Sequence, residues 1–485
     1  MTDIASLARE VAALEHEIAT LEDLQAIRAL QFKYGYYLDK CLMEEVVDLY
    51  APDCELHFMG SIWRGKAGAR RLYVDTIGKL FTGGVNGPVD GLLSDYLQLQ
   101  DIVDVARDRK TARGRFRYFM QGATHHSRPT VPTMPPQWFE AGTYENIYVK
   151  QDGVWKIGRL NLHLSFRCDY QTGWRYALAG ATGGRPKLFP ENPTGPDDWR
   201  PGYSDTWPNA HAQPFHYSHP VTGKTWSFGS KAAPTTDERG PSNAELDEAE
   251  LASRGAAGLA AKLAELEDRA GILADMDAIR RVQFTYGYLM DKFLFNEVVD
   301  LFTADGELRH DGNVYRGHDA LRRVYVDLIG AMYTKGKNRP VDGVLADHTQ
   351  MQDVITVAPD RLSANGRFRY FMQGATHISI GESLMPQGSL WEAGVYENRF
   401  VKEGGVWKIK VLGLHGSYRV DYQAGWRYGT PFARTVPVCY PENPRGPTEY
   451  HDGYYPAWPK AHLVPFHYAH PVTGKAWGGK PWGRK

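Results

Sequence analysis

The strongest constraint on this chain is that it is written twice. Tyr34 and Tyr286, Glu145 and Glu397, and His163 and His415 are each 252 positions apart (286 − 34, 397 − 145, 415 − 163). The correspondence runs almost end to end, through "AGTYEN" and "AGVYEN", two copies each of "GVWKI" and "GWRY", "FPENP" and "YPENP", and "PFHYSHPVTGK" and "PFHYAHPVTGK". Two units of about 230 residues are too few and too long for a solenoid. A chain of 485 residues also exceeds what a single core supports. The expected organisation is therefore a duplicated domain: copy one over 1–226, a polar Pro/Gly/Ser-rich linker over 227–250, and copy two over 251–485, each copy ending in an extended arm.

Each copy opens on apolar residues at heptad spacing, Leu7, Val11, Leu14, Ile18 and Leu21, then Leu259, Leu263, Leu266, Ala270 and Leu273. So short a repeat does not stand alone as a coiled coil. The two helices pair with each other, pair with another chain, or pack on their own domains. A second helical stretch follows at once, carrying "QFKYGYYLDK" (31–40) and its counterpart "QFTYGYLMDK" (283–292). At 100° per residue, Ile27, Leu30, Tyr34 and Leu38 share one face, with Phe32, Tyr36 and Asp39 opposite and Lys40 near them. A helix apolar on two faces must be covered on both. "EEVVDLYAPD" predicts a short helix ending in a turn at Pro52 and Asp53.

Period two then takes over in "GRFRYFMQG" (114–122), "TYENIYVK" (143–150) and "VWKIGRLNLHLSFR" (154–167), with hairpin corners at "KQDGVW" and "KEGGVW". Helices followed by a long antiparallel sheet that bends around them make an α+β fold.

The charge balance, 56 basic against 57 acidic residues, offers no basic stripe for phosphate neutralisation, so no nucleic-acid partner is expected. No apolar run reaches the ~20 residues of a membrane span, so no membrane partner is expected. The N-terminal segment lacks the apolar centre of a signal peptide. Cys41, Cys54, Cys168 and Cys439 show no C-x-x-C spacing and do not recur between copies. That argues against a disulfide framework or zinc site and for a reducing cytoplasm. The two histidines of "FHYSHP" project to opposite sides of an extended segment, which is wrong for joint ligation, and "HPVTGK" lacks the second glycine of a P-loop. No metal is expected, and the arm is read as covering a pocket or a partner subunit.

"AIRALQFKYGYYLD…VVDLYAPDCELHFMGSIWRGKAGARRLY" resembles the start of a SnoaL-like domain of the NTF2-like superfamily, and "AGTYENIYVKQDGVWKI" resembles its last hairpin. The resemblance covers roughly 20–175 and 272–427. It implies two tandem cones, each a curved sheet around N-terminal helices with a pocket at the open end, and an internal pseudo-dimer open to further homo-oligomerisation. Relatives include ketosteroid isomerase, scytalone dehydratase, polyketide cyclases and non-catalytic proteins, so fold alone leaves function open. By that resemblance Tyr34 matches the isomerase's oxyanion-hole tyrosine, His57 its base, Glu145 its second oxyanion-hole acid, and Asp39 the dehydratase's pocket aspartate. Copy two repeats Tyr286, Asp291 and Glu397 but carries Arg309 in place of His57, with His310 beside it. The long arms and the Asp-Lys helix end resemble bacterial proteins that degrade lignin-derived aromatic dimers, some of them cofactor-free γ-formaldehyde lyases.

Cofactor-independent cleavage of a phenolic diaryl compound needs positioned acids and bases, and donors aimed at a phenolate oxygen. The candidate catalytic residues are Tyr34, Asp39, Lys40, His57, His125 and His163, with Tyr286, Asp291, Lys292, His310, His377 and His415 in copy two. Tyr96 and His348, which share a position, Arg117 and Arg369, and Glu145 and Glu397 are candidate substrate-binding residues. The expected function is a lyase that releases formaldehyde from a lignin-type phenol to leave a stilbene. A dehydratase or isomerase of an aromatic or polyketide substrate, and an aromatic-binding protein without turnover, are the alternatives.

Overall fold

A computed structural model describes residues 4–176, 187–200, 207, 215–217, 220–222, 224, 250–380, 388–429, 436–451 and 458–477. The expected linker therefore lies outside the described residues apart from Glu250, as do parts of both arms.

Each half builds one seven-stranded sheet, open at both edges. In the first, the order is β3 (Leu92–Val105), β4 (Thr111–Thr124), β5 (Gln137–Gln151), β6 (Val154–Asp169), β1 (Tyr50–Phe58), β2 (Ser61–Arg64), β7 (Asp198–Trp199). The second repeats it as β10 (Val344–Val357), β11 (Ser363–Thr376), β12 (Ser389–Glu403), β13 (Val406–Asp421), β8 (Phe302–His310), β9 (Asn313–Arg316), β14 (Glu449–Tyr450). The fold is α+β, but the sheets are mixed rather than antiparallel, because β6 runs parallel to β1 and β13 parallel to β8. The β5–β6 corner has positive φ at Asp152 (53°) and Gly153 (77°), as a two-residue hairpin demands. "APDCELHF" is strand, not turn: β1 starts at Tyr50, and Pro52 falls where its pairing with β6 shifts register, a place in a strand where a missing N–H is tolerated.

The two helical stretches of each half are one continuous helix, Ile4–Asp39 and Gly255–Asp291. Their leading halves pack on each other through Ala8, Val11, Ala12, Ile18, Leu251, Leu259 and Leu266. Lys262 meets Glu15 at 2.5 Å and Arg269 meets Glu22 at 2.7 Å beside that seam. Further along, Ile27, Leu30, Tyr34 and Leu38 enter the first half's core, while Phe32, Tyr36 and Asp39 are buried as well.

What covers that second face is the other half of the chain. Gln352 donates to the Phe32 carbonyl at 3.0 Å, and its own carbonyl accepts from the Tyr36 hydroxyl at 2.7 Å. A Cβ at Gly35 would lie 2.8 Å from Gln352 Nε2, so the close approach of helix and strand needs glycine there. The outer faces of the two sheets meet through Leu93, Leu97, Phe139, Met351, Phe371, Tyr418 and Trp426. The molecule is an internal pseudo-dimer joined through helices and sheets. Its twofold is broken, however: Tyr36 is 1 % exposed and its counterpart Tyr288 is 73 % exposed. No described helix is long and apolar enough to cross a membrane.

Candidate functional site

In the first half a hollow opens between the concave sheet face and the helices. Tyr34, Tyr73, Ser94, Tyr96, Tyr118, Tyr144 and Glu140 form its polar lining, with Leu38, Met43, Phe58, Ile77, Phe81 and Leu162 among its apolar walls. As the side chains stand its volume is about 30 Å³, room for a water or two. Tyr73 arrives on a stretch of π-helix, Arg71–Gly78, whose counterpart Arg323–Gly330 delivers Tyr325; such wide turns recur at functional sites.

Hydroxyls run in a line: Tyr73 lies 2.9 Å from Tyr34 and 2.9 Å from Tyr50. Burial pushes the phenols of Tyr34, Tyr73 and Tyr50 well above their ordinary value, so all three stay protonated and able to donate. Tyr118 donates to Glu140 at 2.9 Å, and Arg167 Nε occupies the other carboxylate oxygen at 2.6 Å.

The second half keeps this frame and changes its chemistry. Tyr286 and Tyr325 stand 3.3 Å apart, Tyr370 donates to Glu392 at 3.0 Å, and Arg419 pairs with Glu392. Burial alone would raise the Glu392 carboxyl, but Arg419, with His310 and His348 nearby, holds it below its ordinary value. Several positions differ, and those that change the polar groups include Phe302 for Tyr50, His310 for Phe58, Tyr333 for Phe81, Ala346 for Ser94 and His348 for Tyr96. His310 follows Leu308 by two on β8, and both pair with inward residues of β13, so the ring is on the concave side. His348 Nδ1 lies 3.1 Å from Asp291 Oδ1, which also accepts the His348 backbone N–H at 2.6 Å. Nδ1–H donates to the carboxylate, which leaves Nε2 as the basic nitrogen.

In the first half the equivalent aspartate is spoken for. Asp39 accepts the Tyr96 backbone N–H, and its other oxygen is held by Arg369, which reaches across from the second half and also pairs with Asp95. The counterpart of Arg369, Arg117, is exposed.

Several expected site residues lie elsewhere. His57 sits 3.2 Å from Glu55 on the outer face of β1, since Leu56 and Phe58 point inward. On β6 Leu162 lines the hollow, so His163 turns away to Arg200, 3.3 Å distant. The same alternation turns His415 outward toward Glu397 and Arg367, where burial pulls its pKa down to about 4. Glu145 and Glu397 also face outward and grip the arms: His216 Nδ1 lies 2.8 Å from Glu145, and His467 Nδ1 lies 2.8 Å from Glu397. Arg369 is therefore an inter-half ion-pair partner rather than a lining residue. His125 contacts Ser127 at 2.7 Å and the Gly429 carbonyl at 3.2 Å, in the contact between halves, and His377 is exposed beside Ser379. Lys292 is exposed; Lys40 is half-buried near Asp95, and burial takes its pKa down to about 8. Tyr34 and Tyr96 line the first hollow, and Tyr286, Asp291, His310 and His348 assemble in the second half.

A profile of the SnoaL-like domain matches residues 19–161 and 271–412, well over half of the chain. The chain belongs to the SnoaL-like domain family. Both copies of the SnoaL-like domain thus contain the tyrosines, and the second contains the His348–Asp291 pair. A search of curated proteins returned no match.

Solved structures are similar to one domain at a time. An NTF2-like protein with a cystatin-like fold from Novosphingobium aromaticivorans is 22 % identical, over 33 % of this chain and 88 % of its own, with a TM-score of 0.23. A candidate scytalone dehydratase from the same organism is 23 % identical over 34 % of this chain and 97 % of its own, TM-score 0.25. A hexachlorocyclohexane dehydrochlorinase from Novosphingobium barchaimii is 17 % identical over 33 % and 93 %, TM-score 0.24.

Tyr73, Tyr118, Tyr144, Glu140 and Arg167, with Tyr325, Tyr370, Tyr396, Glu392 and Arg419, were not among the expected site residues. Each recurs at the 252 spacing, and Tyr144 sits one residue before the glutamate chosen instead.

Proposed function

We propose that this protein is a cofactor-independent lyase that moves protons on a hydroxylated aromatic compound, with the reaction seated in its second half. The observation that carries the reading is His348 held 3.1 Å from Asp291 on a tyrosine-lined concave face. A histidine oriented by a carboxylate is a general base near neutral pH, typically contributing 10²- to 10⁴-fold in rate. The Tyr286 phenol, pushed up to about 12 by burial, is a donor for an oxyanion rather than a base.

On a lignin-type phenolic diol these groups support one sequence. Tyr286 hydrogen-bonds the phenolate oxygen while His310 gives a proton to the departing benzylic hydroxyl, which leaves as water and forms a quinone methide. Nε2 of His348 takes the proton of the γ-hydroxymethyl O–H. The Cβ–Cγ bond breaks and formaldehyde departs. The electron pair becomes the stilbene double bond and restores the phenolate. Water loss alone, a dehydratase reaction, uses the first step without the second.

The test is incubation of purified full-length protein with phenolic diaryl diols, scoring formaldehyde and stilbene together. Equimolar formaldehyde and stilbene supports the lyase. A dehydrated product without formaldehyde moves the assignment to a dehydratase. Binding without any product leaves an aromatic-binding protein.

A further inference from the structure

We propose that the hollow of the first half is a second ligand site, which binds an uncharged phenol-class molecule without transforming it. Its position is fixed by the first half's own helix and sheet, the counterparts of those that carry Asp291 and His348, but its chemistry is that of a receptor. No histidine is among the residues that line it: Phe58 and Tyr96 stand where His310 and His348 stand in the other half. The aspartate that would orient a base, Asp39, is closed off by Arg369. Both oxygens of Glu140, the one carboxylate in the lining, are engaged, by Tyr118 and by Arg167.

What remains is hydrogen-bonding capacity without proton-transfer capacity. The line Tyr50, Tyr73, Tyr34, at 2.9 Å per step, runs on to Tyr144, and its last three members line the hollow. Hydroxyls in series polarise one another, which strengthens the terminal donor toward a ligand oxygen. Phe302 removes the first member of that line from the second half, where the remaining pair is looser at 3.3 Å. The first half is thus the better holder of a phenol oxygen, and the second half alone has the base. Apart from Ser94 the rest of the hollow is apolar, which suits an aromatic ring and repels a charged group. With about 30 Å³ open, a ring enters as Met43, Ile77 and Phe81 turn aside at the wall; an unbranched thioether such as Met43 does so readily.

The probe is phenol, which stays un-ionised at neutral pH, titrated calorimetrically into the full-length protein. The expected result is two sites per chain, of which Leu162→Trp, filling the first hollow, removes one. Tyr34→Phe, which deletes only a hydroxyl, weakens one of the two sites about fivefold, the loss of one hydrogen bond. It serves as the second arm should Leu162→Trp fail to fold. No binding, one site that Leu162→Trp leaves intact, or two sites that neither variant alters would overturn the proposal.

Discussion

Arg369 decides what the two equivalent aspartates can do. It is buried and pairs with Asp39 and Asp95 across the join between halves, so Asp39 serves structure while Asp291 is left to His348. Removing one member of a buried charge cluster leaves the others without compensation. Arg369→Met is therefore expected to cost about 3–5 kcal/mol in chemical denaturation, whereas Arg117→Met, at the exposed counterpart, stays within about 0.5 kcal/mol. Asp291→Asn separates stability from chemistry. The amide oxygen still accepts the His348 backbone N–H and Nδ1–H, but it lacks the negative charge that stabilises the imidazolium formed when Nε2 takes a proton. Turnover should fall about 10²-fold or more while denaturation midpoints barely move. A comparable loss in both would mean that Asp291 is structural.

At the level of elements, the strands explain which sequence expectations failed. In "LNLHLSF" the leucines face the core, so the histidine between them faces out; likewise Tyr144 faces in and Glu145 out. Residue type alone points to these polar side chains, whereas the alternation assigns them to the outer face. The helix faces were legible because Tyr34 and Tyr36 are both apolar enough to demand cover, and the structure covers both. What no pattern along one strand discloses is that the outward residues hold the arms. His216 contacts Asp104 at 3.2 Å and Glu145 at 2.8 Å. Burial works to lower its pKa, but these two carboxylates outweigh it and raise the net value above the ordinary 6.5. A raised folded-state pKa gives stability that is complete below pH 6.5 and fades as pH climbs through the raised value. Hydrogen exchange at 215–217 should accelerate over that rise, and His216→Gln should flatten the dependence. Slower exchange at higher pH, after correction for intrinsic rates, would reverse the assignment.

The whole molecule is a dimer made within one chain. The duplication was legible from a single spacing, and so was the α+β class, because helical and two-residue periods occupy separate stretches of each copy. The broken twofold was not legible. It arises where the two faces in contact differ, as Tyr36 under Arg367 and Arg369 differs from exposed Tyr288, and such contacts have no signature in either copy alone. The apolar sheet-to-sheet contact and the paired helices predict that the halves hold together without a covalent join. With a protease site inserted within 227–249, the cleaved protein should elute from a sizing column as the intact chain does. Separate elution of the halves would show the interface to be weaker than its packing suggests.

Everything functional in this account rests on proton transfer at His348 in the second half, and turnover of a phenolic diol by His348→Gln against the unaltered protein addresses it directly. A loss of at least about 10²-fold is expected, with the fold and the melting temperature kept. Turnover within about threefold of the unaltered protein would contradict it.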